Sequence, residues 1–132
     1  MSNLQKEFVP YEIALKFKEL GFDEPCFGWY LPEIVNKGNI STVILGSYMT
    51  KWNKFGNRLS APLYQQAFRW FREKYGLYHS IGLDDSLENN INCDYQIINH
   101  SQSISELDTD FKSYEEAELE CLKKLIELCK TN

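Results

Sequence analysis

No window of this 132-residue chain approaches the run of about 18 apolar residues that a membrane-crossing helix needs. Residues 1–7, Met-Ser-Asn-Leu-Gln-Lys-Glu, carry no basic segment followed by an apolar stretch. The expectation is a cytoplasmic protein with no membrane contact. Paired Cys or His ligands a few positions apart, the mark of a structural zinc site, are also missing: the histidines are His79 and His100, and Cys26, Cys93, Cys121 and Cys129 are dispersed. No metal and no cofactor is therefore expected. A glycine-rich phosphate loop is absent, as is a Ser or Cys nucleophile with a nearby base and an anion hole. The acids of residues 84–88 lack the spacing and central glycine of an EF-hand loop, so they read as a solvated turn. With no reactive constellation in view, the sequence points to a non-enzymatic protein.

What is present suits one globular domain, 1–132, long enough to bury about two thirds of its unfolded surface. At 14% aromatic, its core should be built from large rings rather than aliphatics. With no export signal to imply an oxidising compartment, the four cysteines read as buried free thiols rather than two bridges. The net charge of −5 is unevenly spread: residues 1–75 sum to +3 and residues 76–132 to −8.

The densest aromatic stretch is residues 60–77. Ser60 can serve as N-cap, Pro62 is tolerated in a first turn, and Gly76 can take the left-handed stop conformation. At about 100° per residue, Leu63, Tyr64, Ala67, Phe68, Trp70, Phe71 and Tyr75 share one face. Lys74 alone breaks the pattern, and this helix is the predicted core. A first helix is read over 9–21, with Ile13, Ala14, Phe17 and Leu20 inward, Gly21 as its stop and Phe22 closing the cap. A last one follows Ser113, which has Glu116 at capping-box spacing; its buried stripe is Tyr114, Ala117, Cys121, Leu122, Leu125, Ile126, Leu128 and Cys129.

Residues 26–31 and 41–49 read as strands of one hairpin with a turn at 36–39, and 77–83 and 93–100 as a second, with Cys93, Tyr95 and Ile97 on one face. His79 and His100 could meet across the second hairpin, although the solvent face of a strand is the commoner place for them. Residues 50–59 and 101–110 read as loops, the latter mobile. The resulting class is α+β, in the order helix, hairpin, helix, hairpin, helix, with about four mostly antiparallel strands and three helices packed on one face.

The most suggestive surface segment is Lys51-Trp-Asn-Lys-Phe-Gly-Asn-Arg58, leading to Arg69 and Arg72. Over 51–74 there are six basic residues and one acid, Glu73. Rings beside cations are what single-strand nucleic-acid binders use, so Trp29, Trp52, Lys54, Phe55, Arg58, Arg69 and Arg72 are the candidate binding residues. The same residue types carry energy at protein interfaces. Alternatively, Trp52 and Phe55 fold down onto the core and the charges simply face solvent.

Three words, Ala61-Pro-Leu-Tyr-Gln-Gln-Ala-Phe-Arg-Trp-Phe-Arg-Glu-Lys-Tyr-Gly76, Phe22-Asp-Glu-Pro-Cys-Phe-Gly28 and Tyr114-Glu-Glu-Ala-Glu-Leu-Glu-Cys-Leu-Lys-Lys-Leu125, resemble a family of small uncharacterised proteins from gut-type bacteria and their phages. The resemblance implies a mobile-element setting, where small binders and inhibitors of host systems are common, and it transfers no catalytic residue. Together these readings predict a binding protein acting through a protein partner or as a homo-oligomer, with a nucleic-acid or nucleotide binder using 51–72 as the alternative.

Overall fold

The computed structural model describes residues 3–37, 42–84, 92–99 and 106–130, which form four α-helices and six strands. The chain divides into two units, 1–67 and 68–132. In the first, helix α1 (Tyr11–Glu19) buries Ile13, Ala14 and Phe17, as its periodicity predicts, with Leu20 half-buried. Its end is a Schellman turn. Gly21 takes φ 90°, its N–H donates to the Lys18 carbonyl at 3.0 Å, and the Phe22 N–H donates to the Phe17 carbonyl at 2.9 Å. The two phenyl rings meet edge-on at 5.3 Å, supplying the apolar contact that closes the cap.

Strand β1 (Cys26–Tyr30) follows, then helix α2 (Pro32–Asn36), which Pro32 opens without losing a hydrogen bond. β1 is the middle strand of a three-stranded antiparallel sheet, between β2 (Ile44–Thr50) and β3 (Leu59–Ala61). The pairing of β1 with β2 is the predicted one; residues 38 and 39 of the expected turn, and residue 41 at the expected strand start, lie outside the described residues. Gly28 marks a close approach, since a Cβ there would lie 2.5 Å from Val43 Cγ1 and 3.0 Å from the Phe8 ring. Tyr30 ties strand to helix, its hydroxyl donating to the Val9 carbonyl at 2.7 Å and its ring meeting Tyr11 edge-on at 5.4 Å.

β3 corrects two expectations. Residues 50–59 are not all loop, because a 3-10 turn (Trp52–Lys54) leads into the strand. Nor does Ser60 cap a helix. Its Oγ accepts from the Asn53 N–H at 3.1 Å, its own N–H donates to Asn53 Oδ1 at 2.9 Å, and helix α3 (Tyr64–Tyr75) starts four residues later.

The unit boundary falls within α3. Ala67, Phe68, Trp70 and Phe71 are buried and Leu63, Tyr64 and Tyr75 half-buried, so the predicted ring-bearing face is the inner one. Gly76, at φ 66°, ends the helix. Lys74 fits after all, its ammonium lying 5.0 Å from the Trp70 ring centroid and 5.7 Å from that of Tyr75.

In the second unit β4 (Leu77–Asp84), β5 (Asn92–Asn99) and β6 (Glu106–Phe111) form an antiparallel meander on which α4 (Tyr114–Lys130) packs. Cys93, Tyr95 and Ile97 alternate inward on β5, as expected. The acidic turn is bounded by Asp84 and Asn92, which pair across the hairpin, and its residues 85–91 lie outside the described ones. Residues 106–110, expected in a mobile loop, belong to β6, because pairing with β5 outweighs their low strand propensity; 101–105 are not described. The register slips once, Thr109 and Asp110 opposing Asp94 alone, and Asp110 takes φ 72° in that bulge. Ser113 caps α4 through Oγ, which accepts from the Glu116 N–H at 3.1 Å. Of the predicted stripe, Ala117, Cys121, Leu122, Leu125, Ile126 and Cys129 are buried, Leu128 is half-buried and Tyr114 is exposed.

The α+β class is the predicted one. The predicted order of three helices and two hairpins, with about four strands and the helices on one face, gives way to four helices and two three-stranded sheets. Two short or polar strands, β3 and β6, and the five-residue α2 make the difference. Two opposite responses follow in guanidinium unfolding. Phe71→Ala, at a fully buried ring, should cost about 3–5 kcal/mol, whereas Asp110→Gly should match or exceed the parent by about 0.5–1 kcal/mol, because glycine accepts a positive φ without strain.

Candidate functional site

The basic aromatic segment is built onto the first sheet by polar side chains. Besides its exchange with Ser60, Asn53 donates from Nδ2 to the Phe22 carbonyl at 3.0 Å, locking the 3-10 turn to both β3 and the α1 cap. Trp52 is thereby turned inward. Its indole N–H donates to the Cys26 carbonyl at 2.7 Å, the partner a buried indole needs. Trp29, on β1, lies against it with ring centroids 4.1 Å apart, and Phe55 adds a third ring 6.1 Å from Trp52. Gly46 of β2 backs the pair so closely that a Cβ would stand 3.0 Å from Trp29 Cζ3 and 3.3 Å from Trp52 Cζ2.

Arg58 completes the group. Its guanidinium carbon sits 5.2, 5.1 and 5.7 Å from the ring centroids of Trp29, Trp52 and Phe55, within cation–π range of all three. The fold thus brings together Trp29, Trp52, Phe55 and Arg58, four of the seven candidate binding residues. Trp29 and Arg58 are half-buried, Trp52 is buried, Phe55 is 47% exposed, and Lys54 is exposed beside it in the chain. Arg69 and Arg72 belong to the second unit, on α3, where Arg69 is exposed and Arg72 half-buried.

Sequence reasoning missed the neighbouring apolar surface. Ile44, Leu45, Tyr48 and Met49 of β2 are exposed, Tyr48 at 67%, as is Phe27 of β1. The signal was available: residues 42–50 carry no charge and do not alternate between apolar and polar positions. β2 has no strand on its outer side among the described residues. Against β1 its register slips between Leu45 and Thr50, which pair with Gly28 and Cys26, so the segment with Tyr48 and Met49 opposes Phe27 alone.

Three buried thiols and one histidine are held in their neutral forms. Burial pushes the thiols of Cys26 and Cys121 up to about 12 and that of Cys129 to about 11, and all four cysteines are free and buried, as read from the sequence. His79 corrects the solvent-face reading. It faces Ile97 across the sheet and stacks on Phe68 at 3.6 Å with an interplanar angle of 8°; His100 lies outside the described residues. Burial, with the charge of Arg72 adding, pulls the His79 pKa down to about 4. Among the described residues no three His, Cys, Asp or Glu side chains gather as metal ligands would, and no helix is long and apolar enough to cross a membrane.

Compared with models of known families, with curated proteins and with solved structures, the chain matches none.

Two measurements check this geometry. Trp52→Phe removes the indole donor and should cost about 1–3 kcal/mol, read from denaturant midpoints. Below pH 6.5 the unfolded chain takes up a proton at His79 that the folded chain refuses, so this residue's contribution should fall as pH drops from 6.5 to about 4 and stay flat above. Comparing midpoints at several pH values, His79→Phe should flatten that part of the slope; an unchanged slope would show that His79 is not held neutral.

Proposed function

We propose that the chain is a small non-enzymatic interaction protein of the cytoplasm that works through a protein partner or a second copy of itself, docked on the first unit. The observation that carries this reading is the exposed apolar set Phe27, Ile44, Leu45, Tyr48, Met49 and Phe55 beside the Arg58 cluster. Phe, Tyr, Met and Arg are the residue types enriched at interface centres, and an uncharged edge strand offers unpaired backbone groups to a partner. A phage or mobile-element setting belongs to the proposal and rests on the three sequence words noted above.

The nucleic-acid or nucleotide reading draws less support. Base stacking needs uncovered ring faces, whereas Trp52 is buried and Arg58 lies against Trp29 and Trp52. The net charge of −5 also opposes a polyanion.

A Tyr48→Ser, Met49→Ser, Phe55→Ser triple variant tests the proposal, because all three side chains are exposed and their loss should leave the fold intact. The parent is expected either to capture a cross-linkable protein partner from its host or to sediment as a concentration-dependent oligomer. The triple variant, with an unchanged melting midpoint, should lose that association by roughly tenfold or more. Equal association by parent and variant, or a parent that is monomeric and partnerless, overturns the reading. Tight, salt-sensitive binding of a labelled oligonucleotide would establish the alternative.

A further inference from the structure

The Arg58 cluster has a property that a merely structural stack does not require. Among the described residues the guanidinium has no carboxylate within salt-bridge distance and no side-chain hydrogen bond, and none of its interactions is with a residue outside the cluster. No buried side-chain nitrogen among the described residues lacks a partner, so the guanidinium nitrogens of this half-buried residue reach water. Cation–π attraction acts through the charge and the ring faces, and it leaves the in-plane N–H donors unused. Among the described residues, Arg58 is therefore a cation held in place by three rings with its hydrogen-bonding capacity unspent.

We infer that this cluster is a carboxylate-recognition site: Arg58 takes an Asp or Glu side chain from a segment of the protein partner, while Phe27, Tyr48, Met49 and Phe55 take the apolar side chains flanking that acid. The inference rests on the docking proposal and names the chemistry of what docks. Charge complementarity selects an acidic occupant. Lys54 is exposed with no ion pair among the described residues, and Lys51 has only a loose one, to exposed Asp23 at 3.8 Å. Preorganisation selects a carboxylate contact of fixed geometry, because a planar fork already immobilised by packing loses less freedom on forming two parallel hydrogen bonds. A phosphate could use the same fork, but the apolar side chains around it suit a protein segment better than a nucleic-acid backbone.

A displayed library of random peptides, panned on the full chain, supplies the probe. Recovered sequences are resynthesised with blocked termini, so that side-chain carboxylates alone are tested. The expectation is an Asp or Glu next to aromatic or aliphatic residues in the recovered set. Replacing that acid by Asn or Gln should weaken binding by roughly tenfold, and Arg58→Gln should do the same to the parent peptide. The two losses should not add when combined, because each removes the same contact. Since Arg58→Gln could loosen the rings, two controls accompany it: the melting midpoint of the variant, and NMR of the unaltered chain, where the Trp29 and Trp52 indole N–H signals should shift with the acidic peptide and not with its amide analogue.

Binders that lack acids, or that tolerate both changes with no indole shift, overturn the carboxylate site and leave the docking surface standing. No enrichment of any peptide overturns the carboxylate site; the docking surface itself falls only by the association test of the triple variant. Oligomerisation of the parent that Arg58→Gln abolishes would place the docked segment in a second copy and overturn the assignment to a separate partner. Oligonucleotide binding that depends on Arg58, without peptide binding, would assign the fork to phosphate instead.

Discussion

The hydrogen bond from the Trp52 indole to the Cys26 carbonyl, 2.7 Å long, decides how the surface of the first unit is laid out. An indole N–H taken out of water must find an acceptor. The one it finds is at the head of the central strand, so the turn carrying Trp52 is drawn down onto the sheet. Once Trp52 lies there, Trp29 has a ring to pack on, Gly46 leaves room where a methyl would press on both indoles, and Arg58 gains three faces at once. Asn53, next in the chain, finishes the attachment: its side chain donates to the Phe22 carbonyl and accepts from the Ser60 N–H, and its backbone N–H donates to the Ser60 hydroxyl. A segment that reads as an open basic loop is thus a fixed platform.

The two sheets treat their edges in opposite ways. β6 exposes Asp108 and Asp110, and its bulge at Asp110 twists the edge, both devices that discourage pairing with another chain. β2 has an irregular register as well, but its exposed side chains are Ile44, Leu45, Tyr48 and Met49 and no charge guards it. This contrast between the two edges is what motivates the docking role proposed for β2.

Where structure followed from neighbours in sequence, it was legible. Gly21 and Phe22 announce the α1 cap within two residues, the period of α4 places Ala117, Cys121, Leu125 and Cys129, and the alternation of Cys93, Tyr95 and Ile97 marks β5. Where it depended on distant partners, it was not. Ser60 has the chemistry of an N-cap, but Asn53 competes for it from seven positions away and wins. Residues 106–110 are poor strand formers that become a strand because β5 offers a ladder. At the candidate site, the residue types of Trp29, Trp52, Phe55 and Arg58 were visible in sequence. That Trp52 would fold inward was one of two readings open in sequence; the choice between them, and the spread of Arg58 over its neighbours, depend on the Cys26 carbonyl.

The inward placement of all four thiols has a practical side. Maleimides and iodoacetamides react with thiolates that they can reach, and in the folded chain Cys26, Cys93, Cys121 and Cys129 are closed to such reagents. A cysteine introduced at exposed Lys54 or Tyr48 would therefore accept a fluorophore or spin label selectively without removal of any native cysteine, placing a reporter at the edge of the aromatic platform in an otherwise unaltered core.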